Sequence, residues 1–240
     1  MSERDRQHKL RSVEEYGRIY VKQYLARARE RRDAIRSDPL QALEFLHSKL
    51  FMRGRRDAVS VAFRDQTAAA LQRYGTLEAI DIAGLGDYLH AQGVNNRHDR
   101  RMVIESVRFV RTELTTEGDN VYNWAVETIR DGRSRDAYLA LDAIHAVGDK
   151  LASFYLRDVV FLDDMEDVVG TPDYPYLQPV DTWVLRVGRS LKVIDKGDAG
   201  SAAKDKLISV CLAADVSPLL FNAGAWLVGA HSYDLLIETL

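Results

Sequence analysis

Apolar residues recur at helical spacing along most of this chain, and that period excludes nearly every architecture built on sheets. Tyr16, Ile19, Tyr20 and Tyr24 fall on one helical face, Leu43, Phe45, Leu46 and Leu50 on another, and Val59, Val61, Ala62, Ala69 and Leu71 continue the pattern. No sustained alternation of the kind a half-buried strand needs is present. Turn signals at Gly75, Gly84, Gly86, Gly118 and Gly132 divide residues 38–160 into helices of ordinary length. The least helical stretch, FLDDMEDVVGTPDYPYLQPVD, carries Pro172, Pro175 and Pro179 and reads as a loop wrapping between helices. Its acids Asp163, Asp164, Glu166 and Asp167 lack the alternating ligands and central glycine of a calcium loop. Helix is predicted again over 182–194, 203–213 and 218–228, so the fold class is all-α.

With 240 residues and 46% hydrophobic composition, the chain is large enough to bury a core of its own. No apolar run reaches the roughly 18 to 20 residues that span a bilayer, and the N-terminal MSERDRQHKLRSVEEYG is too polar for a signal peptide. The expectation is therefore a cytoplasmic protein with no membrane partner. Cys211 is the only cysteine, which excludes an internal disulfide, a four-cysteine zinc site and an all-cysteine iron-sulfur cluster. No metal site is expected.

The net charge of −3 is unevenly spread. Residues 1–36 hold 11 Lys/Arg against 6 Asp/Glu, a balance of +5 that leaves −8 on residues 37–240. The chain is accordingly divided into a basic N-terminal helical segment, 1–36, and a helical domain, 37–240. A second basic cluster places Arg53, Arg55, Arg56 and Arg64 near a helix start. Local basic patches of this kind suit phosphate, and equally suit a solvated helix face.

Two motifs carry chemistry. In AIHAVGDKLASFYLRD, a helix containing Tyr138, Leu141 and Ile144 is predicted to end near His145, and another to begin about Asp149. Gly148 permits close backbone approach, and the N–H groups at the start of the second helix can meet a phosphate. Such a helix-hairpin-helix, at about 137–160, grips backbone without reading sequence. In LQPVDTWVLRVGRSL, Asp181 follows a proline-containing loop at a helix start, where its carboxylate caps N–H groups beside the positive end of the helix dipole.

Together these motifs resemble the helix-hairpin-helix (HhH-GPD) superfamily of DNA glycosylases, and most nearly its archaeal 8-oxoguanine branch. The resemblance runs from about Asp38 to the C-terminus. IHAVGDKLA resembles the family hairpin, whose lysine maps to Lys150, and PVDTWVLRVGRSL resembles the segment whose catalytic carboxylate maps to Asp181. SPLLFNAGAWLVG resembles the C-terminal helix of the archaeal branch, with Trp226 at an aromatic of the base pocket, and Phe154 matches a second. The 31-residue separation of Lys150 from Asp181 is also nearer that branch than endonuclease III.

The resemblance implies a two-lobed helical glycosylase fold with its active site in the cleft between lobes. Its partner would be double-stranded DNA holding a modified base, bound by a monomer. No cofactor is implied beyond, at most, a monovalent cation at the hairpin. In such an enzyme the base is flipped out of the stack, a carboxylate stabilises positive charge on the sugar, and in bifunctional members an amine attacks C1′ before strand cleavage. These roles fall to Asp181 and Lys150, with Phe154 and Trp226 flanking the base. Trp124 and Trp183 are read as core. His145, Val147 and Gly148 would meet the DNA backbone, with His145 alternatively capping its helix. Arg53, Arg55 and Arg56 would contact the backbone or fill the space left by the flipped nucleotide.

Two departures matter. The hairpin has His145-Ala146 where the family has Pro-Gly, and Asn222 stands where the archaeal branch has a base-reading aspartate. A carboxylate accepts from two donors of guanine, whereas an amide offers one donor and one acceptor and suits cytosine. Both 8-oxoguanine and a hypermodified cytosine, such as glucosylated hydroxymethylcytosine of phage DNA, stay open as targets, and so do repair and phage defence. The competing classes are a non-catalytic helix-hairpin-helix DNA-binding module and a helical protein-interaction domain.

Overall fold

The structure, a computed structural model, describes residues 3–53, 57–114 and 120–231. Arg55 and Arg56 lie outside them. The described residues are helical with no strand, as the periodicity requires: α1 (Glu3–Tyr24), α2 (Ala26–Glu30), α3 (Arg32–Ser37), α4 (Pro39–Leu50), α5 (Asp57–Gln72), α6 (Leu85–Ala91), α7 (Arg97–Thr112), α8 (Val121–Arg130), α9 (Ser134–Asp142), α10 (Gly148–Leu162), α11 (Thr182–Ser190), α12 (Gly200–Ala213) and α13 (Pro218–His231). Among them no single helix is long and apolar enough to cross a membrane.

Local chemistry sets several of the helix starts. Asp38 caps α4 by accepting from the Leu40 N–H at 2.8 Å, with Pro39 at the position where its missing N–H costs nothing. Asn96 caps α7 and Asn120 caps α8 in the same way. The Asn120 amide also donates to the Ile35 carbonyl at 2.7 Å, which ties the start of α8 to α3.

The chain forms two compact units, one of Met1–Arg27 with Glu166–Leu240 and one of Ala28–Met165, so the basic segment 1–36 is shared between them. In the continuous unit, α10 packs against α4, α8 and α9 and is buried from Leu151 to Leu162. Two of the acids at its C-terminal end hold arginines of the N-terminal segment: Arg36 meets Asp163 at 2.6 Å and Arg29 meets Asp164 at 2.8 Å. Those guanidiniums serve packing within the unit.

In the discontinuous unit, α1 runs along α13, and α11 and α12 also pack on α13. Leu10, Val13, Val184, Val187, Leu207, Phe221 and Val228 form its core. Glycines set the spacing of these helices. A Cβ on Gly17 would fall 2.0 Å from the Leu220 carbonyl oxygen, and one on Gly229 would fall 2.7 Å from the Trp183 Cβ. The second approach places the first turn of α11, and hence Asp181 before it, against α13.

Candidate functional site

The hairpin lies in the continuous unit. Its first helix stops at Asp142, three residues before the expected end, because residues 143–147 coil into tight turns in which the Ile144 and Val147 N–H groups bond to Leu141 and Ile144 carbonyls. Ala146 then takes φ +63° and Gly148 φ +60°. A Cβ on Gly148 would meet nothing within 4 Å, so glycine is needed there for its backbone angle and not for space. Ala146 adopts the same left-handed region at a steric cost of about 1–2 kcal/mol.

Three side chains from elsewhere in the unit brace this turn. The Arg53 guanidinium donates to the Ala146 carbonyl and pairs with the buried Asp99 carboxylate at 3.1 Å. The resemblance implies that Arg53 contacts the DNA backbone or fills the space left by a flipped nucleotide, and these two contacts tie its guanidinium to the hairpin. The Glu105 carboxylate accepts from the His145 backbone N–H at 2.7 Å and from Arg101 Nε at 2.7 Å. The His98 and His145 rings have centroids 5.3 Å apart and planes 14° apart, and His98 Nδ1 lies 3.0 Å from His145 Nε2.

Beyond the turn, Val147 is buried and offers α10 no side-chain cap. The Tyr138 hydroxyl donates to Asp149 at 3.0 Å, linking α9 to the first turn of α10. Lys150 is the third residue of α10 and is half-buried. One turn later Phe154 is buried, with Lys49 Nζ 5.2 Å and Arg157 Cζ 5.0 Å from its ring centroid. Lys49 in turn pairs with buried Asp158 at 2.7 Å, and Arg157 with the same carboxylate at 2.9 Å. Phe154 thus roofs an internal ion cluster.

The other candidates lie in the discontinuous unit. Asp181 is extended, at φ −126° and ψ −175°, and its Oδ1 accepts from the Trp183 N–H at 2.9 Å and the Val184 N–H at 3.1 Å. It is the expected cap of α11. Asn222 is fully buried and its amide donates to the Pro179 carbonyl at 3.1 Å, fastening α13 to the loop that delivers Asp181. Trp226 meets Tyr20, Tyr24 and His231 edge-on, at centroid distances of 5.8, 5.6 and 5.7 Å. Tyr24 Oη and His231 Nε2 are 2.6 Å apart. The structure therefore groups Asp181 with Asn222 through the 178–181 loop, and Lys150 with Phe154 along α10.

Several residues carried no sequence signal. His98 and Glu105 reach the hairpin across 47 and 40 positions, distances that no local pattern reports. Gln178, three residues before Asp181, is completely buried, and neither its amide nitrogen nor its oxygen has a protein partner among the described residues. Among the described residues no group of three or more His, Cys, Asp or Glu could hold a metal ion.

Comparison of the chain with protein-family models, with curated proteins and with solved structures gave no match.

Proposed function

We propose that the protein is a DNA glycosylase that flips out a modified base and cleaves its N-glycosidic bond, in the two-lobed helix-hairpin-helix fold that the motif resemblance implies. The observation that carries this reading is the backbone of the hairpin. Ala146 stands where the resembled hairpin has glycine, yet its φ of +63° is one that glycine adopts freely and alanine does not. A turn held in that form against its own side chain, with Gly148 beside it and Lys150 two residues on, favours the backbone geometry of the resembled hairpin over an ordinary helical connection.

In this reading the Asp181 carboxylate stabilises the positive charge that builds on the sugar as the base departs. The Lys150 amine attacks C1′; the C1′–N bond breaks as the C–N bond to lysine forms, and the base leaves with the electron pair and takes up a proton. Loss of the amine proton and opening of the sugar ring then give a Schiff base.

The test is excision from duplexes containing 8-oxoguanine, hydroxymethylcytosine or glucosylated hydroxymethylcytosine, with borohydride added to trap a Schiff base. Asp181→Asn should lower release at least about a hundredfold, and Lys150→Gln should abolish trapping. Release of the oxidised purine points to repair, and release of the modified pyrimidine alone to defence against phage. A second reading, a DNA-binding module without catalysis, draws on the Asp181 cap, since one oxygen bonding two backbone N–H groups is a complete structural role. Duplex binding with no release from any substrate would decide for that module.

A further inference from the structure

We propose that His98 and His145 form a proton-gated phosphate site on the hairpin, taking a phosphodiester group of DNA when the pair carries an added proton. The proposal rests on the reading above that this hairpin binds DNA.

The chemistry follows from the bond between the rings. His98 Nδ1 and His145 Nε2 are 3.0 Å apart, so one must donate and the other accept. In the neutral pair, one N–H is used in that bond. The two nitrogens outside it, His98 Nε2 and His145 Nδ1, then carry one hydrogen between them, one acting as donor and the other as acceptor. A single added proton leaves the inner bond intact and converts both outer nitrogens into donors, with a unit positive charge. The two outer N–H groups sit at opposite ends of the pair and point apart, so each gives one hydrogen bond to a phosphate oxygen and the unit charge favours the anion; in the neutral pair one end presents a lone pair that repels it. A second proton would break the inner bond.

The neighbouring charges sharpen this response. Arg53 is paired with Asp99 at 3.1 Å, and Arg101 with Glu105 at 2.7 Å, so the two arginines facing His145 are each partly offset by a carboxylate. On the same first turn of α7, the Arg100 guanidinium donates to the Val94 and Asn95 carbonyls at 2.8 Å, and Arg97 is exposed. On α10, Asp149 receives the Tyr138 hydroxyl. Partial desolvation, followed by the positive charge of Arg101, holds His145 below the usual histidine range, with His98 and Arg53 adding to the shift and Glu105 opposing it. Without ligand His145 therefore resists the added proton, and a bound phosphate brings its own incentive for it.

The experiment is fluorescence anisotropy of the full chain with an unmodified duplex, at constant ionic strength, from about pH 8 to pH 5.5. Wild type should bind about tenfold more tightly at the acid end, with uptake of about one proton. His98→Gln and His145→Gln should each flatten the slope, and the double variant should be no flatter than either, because the pair acts as one group. Unchanged melting temperatures at pH 8 would separate this from misfolding. A slope that survives in the double variant, or a wild type that binds without any slope, overturns the proposal and leaves the DNA reading standing. A wild type that binds no duplex at any pH overturns both.

Discussion

Gly224 of α13 lies so close to Val13 of α1 that a Cβ on the glycine would fall 1.9 Å from the Val13 carbonyl oxygen. The obstacle is backbone, so no side-chain rotation relieves it. Gly224→Ala should destabilise the protein by about 2–3 kcal/mol by forcing the helices apart. Gly197→Ala, at a site where an added Cβ meets nothing within 4 Å, is the matched control and should change little. Urea denaturation of both variants measures the difference.

Ala146→Gly should work in the opposite direction. Relief of the left-handed strain at φ +63° is partly offset by the larger freedom of glycine in the unfolded chain, leaving a net gain of about 0.5–1 kcal/mol. A lower melting temperature in this variant would show that the alanine methyl contributes packing that outweighs the strain.

The buried carboxylate of Asp158 faces both Lys49 and Arg157. Asp158→Asn keeps the shape and removes the charge that both buried cations face. The expected loss is about 3–5 kcal/mol. Pairing it with Lys49→Met should recover part of that loss in a double-mutant cycle, since the second change removes one of the two cations.

His47 gives the folded state a defined acid sensitivity. Burial lowers its pKa from 6.5 to about 3, with the ring nitrogen Nε2 2.7 Å from the Ser106 hydroxyl. Because the folded value is depressed, the contribution is intact above the unfolded value of 6.5 and is lost as pH falls from there toward about 3. In that window the unfolded chain binds a proton that the native state refuses, at up to about 1.4 kcal/mol per pH unit. His47→Gln removes the site, so thermal melts from pH 7 to about pH 4 should fall less steeply for the variant than for wild type. Parallel slopes would contradict this.

What could be read from the chain was local, and what could not was remote. Leu43, Phe45, Leu46 and Leu50 announced α4, and Asp181 announced the start of α11, because a cap bonds residues two and three positions onward. The left-handed turn at Ala146 was invisible, since alanine carries no preference for it and its support comes from Arg53, 93 positions away. The glycines of α1 and α13 look like helix-weakening residues in sequence and acquire meaning only where two backbones meet. Asn222 was read by its match to a base-contacting aspartate, and its bond to Pro179 depends on a loop path that periodicity does not describe.

The discontinuous unit has a consequence for the order in which the protein is made. Its first helix leaves the ribosome before Ala28–Met165 is synthesised, while α13, the surface that covers it, emerges only after that intervening unit. Leu10 and Val13 must therefore wait for their core partners until the intervening unit has been made. The continuous unit can condense in the meantime, which leaves the docking of α1 on α13 as a late step of folding.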